Sequence, residues 1–316
     1  MGDNKSNFKK NGYCIFSNVF SEKEIDLVIS ELYKIRDKKK KPNYFSQATH
    51  RVVPFDFDEN GYLSESIQGF TRQWNIKGLA NSGKNILLGS KMLHLLNNVF
   101  PQFKDFVQQN NMLFDKSMET IDHIDSWYLD THPKGYLVGA WIALENIHPD
   151  SGPFRVYPGS HLDIDPYILQ SLDHDDFVNE ISNIKKYFKV KELILKKGDV
   201  VIWDSRLIHG ASKIKNESFS RKSLTAHYYP INSTIQTKKV FSRQNRLYLA
   251  IRKIYQHPEL SKGNSIYQLN SRFIRVHENL KLYLASISRF VNKNSFEISM
   301  DMRSKSYKKD IQKFIN

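Results

Sequence analysis

The stretch from about residue 120 to residue 230 constrains the fold most, because it alternates short apolar segments with clusters of turn residues. The apolar segments are rich in β-branched and aromatic side chains, which favour strands. Strands are predicted in the segments 136–147, 154–161, 192–203 and 223–230, and the third segment holds two strands around a turn at Lys197-Gly198-Asp199. Many short strands with regular turn signals predict an antiparallel sandwich or barrel.

The N-terminal part of the chain predicts helices that flank this sheet. A short strand is expected at 13–16, and the segment Ser21-Glu22-Lys23-Glu24 has the form of a capping box. Apolar residues then recur at helical spacing from Ile25 to Ile35. A second helix is expected at 90–99, ahead of Pro101. The predicted fold class is therefore mainly β with flanking helices (α+β).

Beyond Ile235 the pattern changes again, and we expect the strands to stop there. Two units are predicted, a β domain over residues 1–235 and a basic helical extension over residues 236–316. Within the extension, apolar residues recur at alternating spacings of three and four, as in a heptad seam. The seam consists of Ile266, Leu269, Phe273, Val276, Leu280, Tyr283, Ile287 and Phe290. It would form a helix that packs on the protein's own core, a helix that joins a homodimer, or a helix that docks on a membrane surface or an acidic partner.

The positive charge of the chain is concentrated in this extension. The formal net charge is +14, and residues 236–316 hold 17 Lys/Arg against 5 Asp/Glu. Residues 1–235 are therefore close to neutral, as in an ordinary globular body. A basic tail with aromatic residues could bind nucleic acid. The regular apolar seam suits packing better, and we do not expect nucleic acid as the partner.

Cysteine usage and hydropathy predict a cytoplasmic protein. Cys14 is the only cysteine of the chain, so an intramolecular disulfide is excluded. A chain without disulfides is typical of a reducing compartment. The chain has no apolar run of about 18 residues, the length that marks a transmembrane helix, and we expect no transmembrane segment.

His123 and Asp125 place two metal-ligand side chains two residues apart, in a segment that we expect to be a strand. Alternate residues of a strand project to the same face, so the two would point side by side. They either form a hydrogen-bonded pair on that face or supply two ligands of a metal that needs a third. His209 follows an apolar strand and precedes Gly210, where the chain can turn, and it is the candidate third ligand. Two histidines and one carboxylate form the facial triad of non-haem Fe(II) oxygenases.

A candidate anion site follows on the next predicted strand. Alternation places Arg221, Ser223, Thr225 and His227 on one face of the segment RKSLTAHYYP. An inward arginine beside a hydroxyl is suited to bind a carboxylate through a bidentate, charge-assisted pair. His227 on the same face is either close to the site or an interior histidine with satisfied hydrogen bonds.

In combination, these segments resemble the phytanoyl-CoA dioxygenase family of Fe(II)/2-oxoglutarate-dependent oxygenases. The resemblance is carried by His123-x-Asp125, by AWIALENIHPDSGPFRVYPGSH, by GDVVIWDSRLIHG and by Arg221. The N-terminal segment NFKKNGYCIFSNVFSEKEIDLVISEL is similar to the start of that family, and the whole covers residues 8–230. The resemblance implies a double-stranded β-helix (a jelly roll) that carries iron at one mouth.

The resemblance also implies roles for individual residues. His123, Asp125 and His209 correspond to the iron ligands. Arg221 corresponds to the residue that pairs with the distal carboxylate of 2-oxoglutarate. The implied cofactor set is therefore Fe(II), with 2-oxoglutarate as co-substrate and O2.

Three further positions concern the co-substrate pocket. Trp141 matches a family position that lines this pocket, and Ser223 is a second candidate partner that strand alternation places there. Ala211 departs from the family pattern, because members often have a hydroxyl residue two positions after the distal histidine. The co-substrate is therefore expected to be bound somewhat differently here.

The predicted function is that of a dioxygenase that hydroxylates an unactivated C–H bond of a small or medium-sized organic molecule, with release of succinate and CO2. Asp125 argues against halogenation, since related halogenating enzymes have a small residue there and chloride fills the gap. Two other functions stay open: a non-catalytic jelly-roll binding protein, and binding of nucleic acid or an acidic surface through the basic extension. The extension would also favour an anionic substrate.

Overall fold

A computed structural model describes residues 4–49, 51–241, 246–252, 266–268, 279–280 and 282–283. The α-helices with full bounds are α1 (Asn4–Asn11), α2 (Glu22–Arg36), α3 (Lys77–Leu87), α4 (Ser90–Val99), α5 (Asp125–Tyr128), α6 (Pro166–Ser171) and α7 (His174–Ile184). Single 3-10 turns lie at Phe70–Arg72, Trp74–Ile76, Ser160–Leu162 and Lys185–Tyr187. Residues 279–280 and 282–283 are helical.

The strands are short and distributed along the whole described chain. They are β1 (Tyr13–Phe16), β2 (Asn43–Phe45), β3 (Val52–Pro54), β4 (Ile67–Gln68), β5 (Phe106–Phe114), β6 (Leu129–His132), β7 (Val138–Ala143), β8 (Phe154–Val156), β9 (Lys191–Glu192), β10 (Val200–Asp204), β11 (His209–Ala211), β12 (Ser223–Pro230), β13 (Thr234–Phe241), β14 (Arg246–Arg252) and β15 (Ile266–Gln268). The prediction of an α+β fold with antiparallel sheet is confirmed.

The largest sheet has the strand order β1-β10-β7-β12-β5-β15, with β4 also paired to β5. Its pairs are antiparallel except for β15 on β5. Leu224, Ala226 and Tyr228 of β12 point into the main apolar core, which this sheet shares with helices α2, α3 and α4. Because side chains alternate along a strand, Ser223, Thr225 and His227 point to the opposite face. The predicted division of this segment into two faces is therefore correct.

A second sheet with the order β11-β8-β9 lies against that opposite face. A second apolar cluster fills the space between the sheets and takes Trp141, Val201 and Trp203 from the large sheet and Phe154 and Val156 from β8. The remaining small sheets have the orders β14-β13-β6 and β2-β3. Candidate site residues that point to the inner face of the large sheet therefore lie between two layers.

The N-terminal predictions are confirmed. Helix α2 begins with the predicted capping box, in which the backbone N–H of Glu24 donates to Ser21 Oγ at 3.4 Å. The backbone N–H of Ser21 donates to Glu24 Oε2 at 2.8 Å. Strand β1 and helix α4 have the expected bounds. Cys14 is a free, buried thiol, and burial raises its pKa to about 12.

The expectation that strands stop at Ile235 is wrong for the described residues. Strand β13 pairs with β6 and with β14, and β15 pairs with β5. The sequence RLYLAIR of β14 places Leu247, Leu249 and Ile251 at a spacing of two, which is a strand pattern. The division into units 1–235 and 236–316 stays a prediction.

Most of the heptad seam lies outside the described residues. Its first residue, Ile266, lies in strand β15 rather than in a helix. Leu280 and Tyr283 are helical and half exposed, whereas Leu282, which is not part of the seam, is buried. Homodimer formation through this segment stays a prediction. No helix within the described ranges is both long enough and apolar enough to span a membrane.

Gly198 and Gly159 allow a matched test of backbone packing, because both have left-handed φ angles, of +86° and +87°. A Cβ at Gly198 would lie 2.1 Å from the carbonyl oxygen of Phe20, whereas a Cβ at Gly159 would meet no atom within 4 Å. Gly159→Ala should lower the free energy of unfolding by about 1–2 kcal/mol through backbone strain alone. Gly198→Ala should cost about 1–3 kcal/mol more, since the backbone must move. Equal losses in urea denaturation would contradict this packing.

Candidate metal centre and anion pocket

His123 and His209 are partners in an antiparallel backbone pair. The N–H of His123 donates to the carbonyl of His209 at 2.9 Å, and the N–H of His209 donates to the carbonyl of His123 at 3.0 Å. Side chains of such a pair project to the same side of the sheet, and the two imidazole centroids lie 4.3 Å apart. Since His209 begins β11, which pairs with β8, the second sheet fixes both rings.

Asp125 lies at the start of helix α5 and not on a strand. The prediction that His123 and Asp125 share one strand was therefore wrong. Ile124 is still extended, with φ −118° and ψ 140°. Ile124 and Trp127 bury their side chains in one apolar cluster, and a spacing of three suits a helical turn. The carboxylate nevertheless lies beside the two histidines.

The three predicted ligand residues converge on one point. Oδ1 of Asp125 lies 3.7 Å from Nε2 of His123 and 3.7 Å from Nε2 of His209. One ligand atom from each residue lies within 4.8 Å of the other two. The donor set of two imidazole nitrogens and one carboxylate oxygen suits a non-haem iron centre.

Backbone carbonyls fix the tautomers of both histidines. Nδ1 of His123 lies 2.7 Å from the carbonyl oxygen of Ile121, and Nδ1 of His209 lies 2.9 Å from that of Leu207. A carbonyl oxygen only accepts hydrogen bonds, so Nδ1 carries the hydrogen in each neutral ring. The lone pair is then at Nε2, the atom that faces Asp125, as in histidines that bind metals.

Burial and charge set the protonation of these groups. Burial lowers the pKa of His209 to about 4, which leaves a neutral imidazole at neutral pH. Burial acts to lower the pKa of His123 too, but the Asp125 carboxylate raises it above its usual value. Burial acts to raise the pKa of Asp125, but the imidazoles of His227 and His209 hold it well below its usual range. Asp125 therefore carries the negative charge that a cation site requires.

Arg221 provides a buried positive charge without a negative partner. No carboxylate of the described residues lies within ion-pair distance of its guanidinium. Its Nη1 donates to the carbonyl oxygen of Gly152 at 3.1 Å, and its Nε has no hydrogen-bond partner. The Phe114 and Trp141 ring centroids lie 5.7 Å and 6.0 Å from Cζ. Burial lowers the pKa of Arg221 to about 10, so the group stays charged at neutral pH.

Ser223, the first residue of β12, lies two residues after Arg221 and is also buried. Ser223 Oγ has no hydrogen-bond partner within the described structure. Ser212 follows Ala211, the position that departs from the family pattern. Its hydroxyl donates to Glu192 Oε1 at 2.5 Å. Buried polar atoms without partners are rare in native proteins. Arg221 and Ser223 therefore offer two buried donors without partners, of the kind that an anion would satisfy.

Three groups around the centre, Trp203, Asn110 and Asp122, were missed by sequence reasoning. Trp203 donates from Nε1 to Asp125 Oδ2 at 2.8 Å. Asn110 Oδ1 lies 2.7 Å from Nδ1 of His227, whose Nε2 lies 3.0 Å from Asp125 Oδ2. Strand alternation in GDVVIWD would have placed Trp203 on the inner face with Val201, but no sequence pattern signals its donor role.

Asp122 is the third missed group and lies next to His123 in the chain. Its buried carboxylate accepts from Arg155 Nε and Lys185 Nζ at 2.7 Å each and from Tyr157 Oη at 2.9 Å. Burial acts to raise its pKa, but Lys185 and Arg155 hold it below the usual value. This network ties the backbone before His123 to β8 and to the turn after α7.

Comparison with known proteins gives the family. The family model for phytanoyl-CoA dioxygenase (PhyH) matches residues 8–223, well over half of the chain. The chain therefore belongs to the phytanoyl-CoA dioxygenase family, as its motifs predicted. A relative, the phytanoyl-CoA dioxygenase domain-containing protein 1 homolog of Caenorhabditis briggsae, is 22% identical over 296 residues, which cover 83% of this chain and 100% of that protein.

Solved structures confirm the fold relationship. The EctD protein of S. alaskensis, solved with 2-oxoglutarate and 5-hydroxyectoine, has a TM-score of 0.55 at 14% identity, over 80% of this chain and 84% of that chain. The non-haem α-ketoglutarate-dependent epimerase SnoN from nogalamycin biosynthesis has a TM-score of 0.53 at 13% identity, over 84% of this chain and 96% of that chain. At these identities the likeness concerns the fold alone.

The Asp122 network should contribute measurably to stability. Asp122→Asn removes the charge that accepts from three donors, and we expect the free energy of unfolding to fall by about 2 kcal/mol, since a hydrogen bond to a charged group contributes more than a neutral one. Asp150→Asn is the matched control, because the Asp150 side chain is 40% exposed and its contacts with His148 and Lys215 are 3.9 Å long. It should change stability by less than about 0.5 kcal/mol. Equal effects in chemical denaturation would refute a structural role for the network.

Proposed function

We propose that this chain is an Fe(II)/2-oxoglutarate-dependent dioxygenase with a double-stranded β-helix (jelly-roll) core. The observation that supports the proposal is that two complementary sites lie at the inner face of the large sheet. One is the set of convergent ligand atoms from His123, Asp125 and His209. The other is the buried guanidinium of Arg221 without an acidic partner. A histidine–carboxylate cluster alone also occurs in other metal sites and in hydrogen-bonded networks, but this enzyme class requires both sites together.

His123, Asp125 and His209 would hold the iron through Nε2, Oδ1 and Nε2. Three ligands of this kind leave neighbouring positions open for a co-substrate and O2. The bound iron would supply the one-electron and oxygen chemistry that side chains lack. The protein's contribution is to hold the three ligand atoms in place through the backbone pair of His123 and His209 and the start of α5.

Arg221, Ser223 and Trp141 would bind 2-oxoglutarate. Ser223 and His227 are four residues apart, which is about 14 Å along a strand. His227 is at the metal end because it contacts Asp125, and Ser223 is at the guanidinium end. A five-carbon dicarboxylate spans only roughly half of this distance. It would therefore place one carboxylate near the metal and the other at Arg221 only with the metal ligands and the long Arg221 side chain reaching toward it. The distal carboxylate would then satisfy a buried charge that otherwise lacks a partner.

The relatives support this assignment of cofactors. EctD, which shares the fold, was solved with 2-oxoglutarate, and SnoN is described as α-ketoglutarate-dependent. Ala211 leaves the family's frequent hydroxyl position empty, and the unsatisfied Ser223 hydroxyl is the group that we infer takes its place.

The reaction that we infer is hydroxylation of an unactivated C–H bond in a small or medium-sized organic metabolite. Related halogenating enzymes lack a carboxylate at this position, whereas this chain has Asp125 there. The solved structure of EctD with 5-hydroxyectoine supports hydroxylation as one outcome on this fold. The basic segment 236–316 favours an anionic substrate, because positive charge concentrates anions near the protein.

Loss of a ligand residue should abolish turnover. With Fe(II) and 2-oxoglutarate, the wild-type protein should form succinate, slowly alone and faster with a substrate from a metabolite extract. Asp125→Ala and His209→Ala should reduce succinate formation to background. His148→Gln is the control, since His148 is partly exposed and stacks on Phe219, away from the triad. Full activity in either ligand variant would refute the metal assignment, and an inactive wild type would favour a non-catalytic binding protein.

Loss of Arg221 should act on the co-substrate rather than on the metal. Arg221→Leu should raise the 2-oxoglutarate concentration needed for half-maximal succinate formation at least about tenfold, equivalent to about 1.4 kcal/mol. Arg221→Lys should have an intermediate effect, because an ammonium cannot form the bidentate pair. Arg51→Leu, at an exposed arginine, controls for the loss of one positive charge. An unchanged 2-oxoglutarate requirement in Arg221→Leu would remove this residue from the proposal.

A further inference from the structure

The two oxygens of the Asp125 carboxylate have different surroundings. Oδ1 faces the Nε2 atoms of His123 and His209. Oδ2 accepts a hydrogen bond from Trp203 Nε1 at 2.8 Å and lies 3.0 Å from His227 Nε2. The triad uses one oxygen, and two side chains of the large sheet contact the other.

The indole of Trp203 is fixed in place. It is fully buried, and its ring centroid lies 5.1 Å from those of both Phe154 and His209. Its edge covers the β7 backbone at Gly139, where a Cβ would lie 2.1 Å from Cζ2. A glycine at this position of β7 therefore makes room for the donor.

The ring of His227 is held from its other side. His227 and Asn110 are opposite each other in the β12–β5 register, and Nδ1 lies 2.7 Å from the Asn110 side-chain amide. His227 Nε2 is close to Asp125 Oδ2 but forms no hydrogen bond with it, because the geometry of the contact is unfavourable. The close approach is therefore a steric contact with Oδ2.

We propose that Trp203 and His227 are positioning residues that hold Asp125 as a one-oxygen ligand. This inference rests on the proposed function. Carboxylates bind metals through one oxygen or through both, and two-oxygen binding would occupy a position that the co-substrate or O2 requires. Trp203 and His227 occupy the approach to Oδ2, so Oδ1 alone is presented beside the histidines. Hydrogen bonds to a ligating carboxylate also strengthen metal binding.

Binding of Co²⁺ without 2-oxoglutarate or substrate tests this proposal on the full chain. Trp203→Phe keeps the aromatic packing and removes only the N–H donor. We expect it to weaken Co²⁺ binding by about 10- to 100-fold and to change the visible absorption of bound Co²⁺, which reports coordination number. His227→Leu, which removes the second contact, should change affinity in the same direction. Trp74→Phe, at an exposed tryptophan, should leave both readouts unchanged.

The background of Asp125→Ala separates positioning from general destabilisation. If Trp203 acts through Asp125, then Trp203→Phe should weaken Co²⁺ binding no further once the carboxylate is absent, because the two changes share one interaction. An equal loss in both backgrounds would overturn the proposal. Wild-type affinity in both Trp203→Phe and His227→Leu, with binding weakened in Asp125→Ala, would overturn it and leave the proposed function intact. Wild-type affinity in Asp125→Ala itself would overturn both.

Discussion

The backbone pair between His123 and His209 is the constraint on which the site depends. The two residues are 86 positions apart in the chain, yet each donates its N–H to the carbonyl of the other. Two imidazoles that leave the same side of such a pair must lie close together, whatever the surrounding loops do. The carbonyls of Ile121 and Leu207, each two residues before its histidine, then orient both rings. Position and orientation of the ligand nitrogens therefore follow from main-chain hydrogen bonds.

The inner face of the large sheet supplies the rest of the centre. Strand β12 carries Ser223 and His227 along one face, with Arg221 just before its start, so that a single strand connects Arg221 with the residue that contacts the Asp125 carboxylate. Its other face contributes Leu224, Ala226 and Tyr228 to the apolar core. A one-residue slip of this strand would exchange the two faces and bury polar groups in the core, which is costly. The same hydrophobic pattern that stabilises the fold thus sets the register of the site.

Much of the site was predictable from sequence because its parts follow short-range rules. Alternation in RKSLTAHYYP predicted the correct inner face, and the order of the motifs predicted the convergence of His123, Asp125 and His209. That Arg221 serves the same site stays a prediction. The prediction of a strand around Asp125 was wrong. The segment is too short to distinguish the two-residue repeat of a strand from a helical turn, which buries both Ile124 and Trp127. The contacts of Trp203 and Asp122 could not be predicted, because they depend on which strands face each other across the two layers. The strands β13 and β14 were missed, although alternation is visible in RLYLAIR of β14, because the apolar seam after them favoured a helix.

The central claim is that the centre binds iron and 2-oxoglutarate on these residues. The most direct measurement is a crystal structure of the protein prepared anaerobically with Fe(II) and 2-oxoglutarate. The predicted result is iron bound to Nε2 of His123, Oδ1 of Asp125 and Nε2 of His209, with the distal carboxylate of 2-oxoglutarate paired with Arg221. Iron on other residues, or 2-oxoglutarate bound away from Arg221, would contradict it.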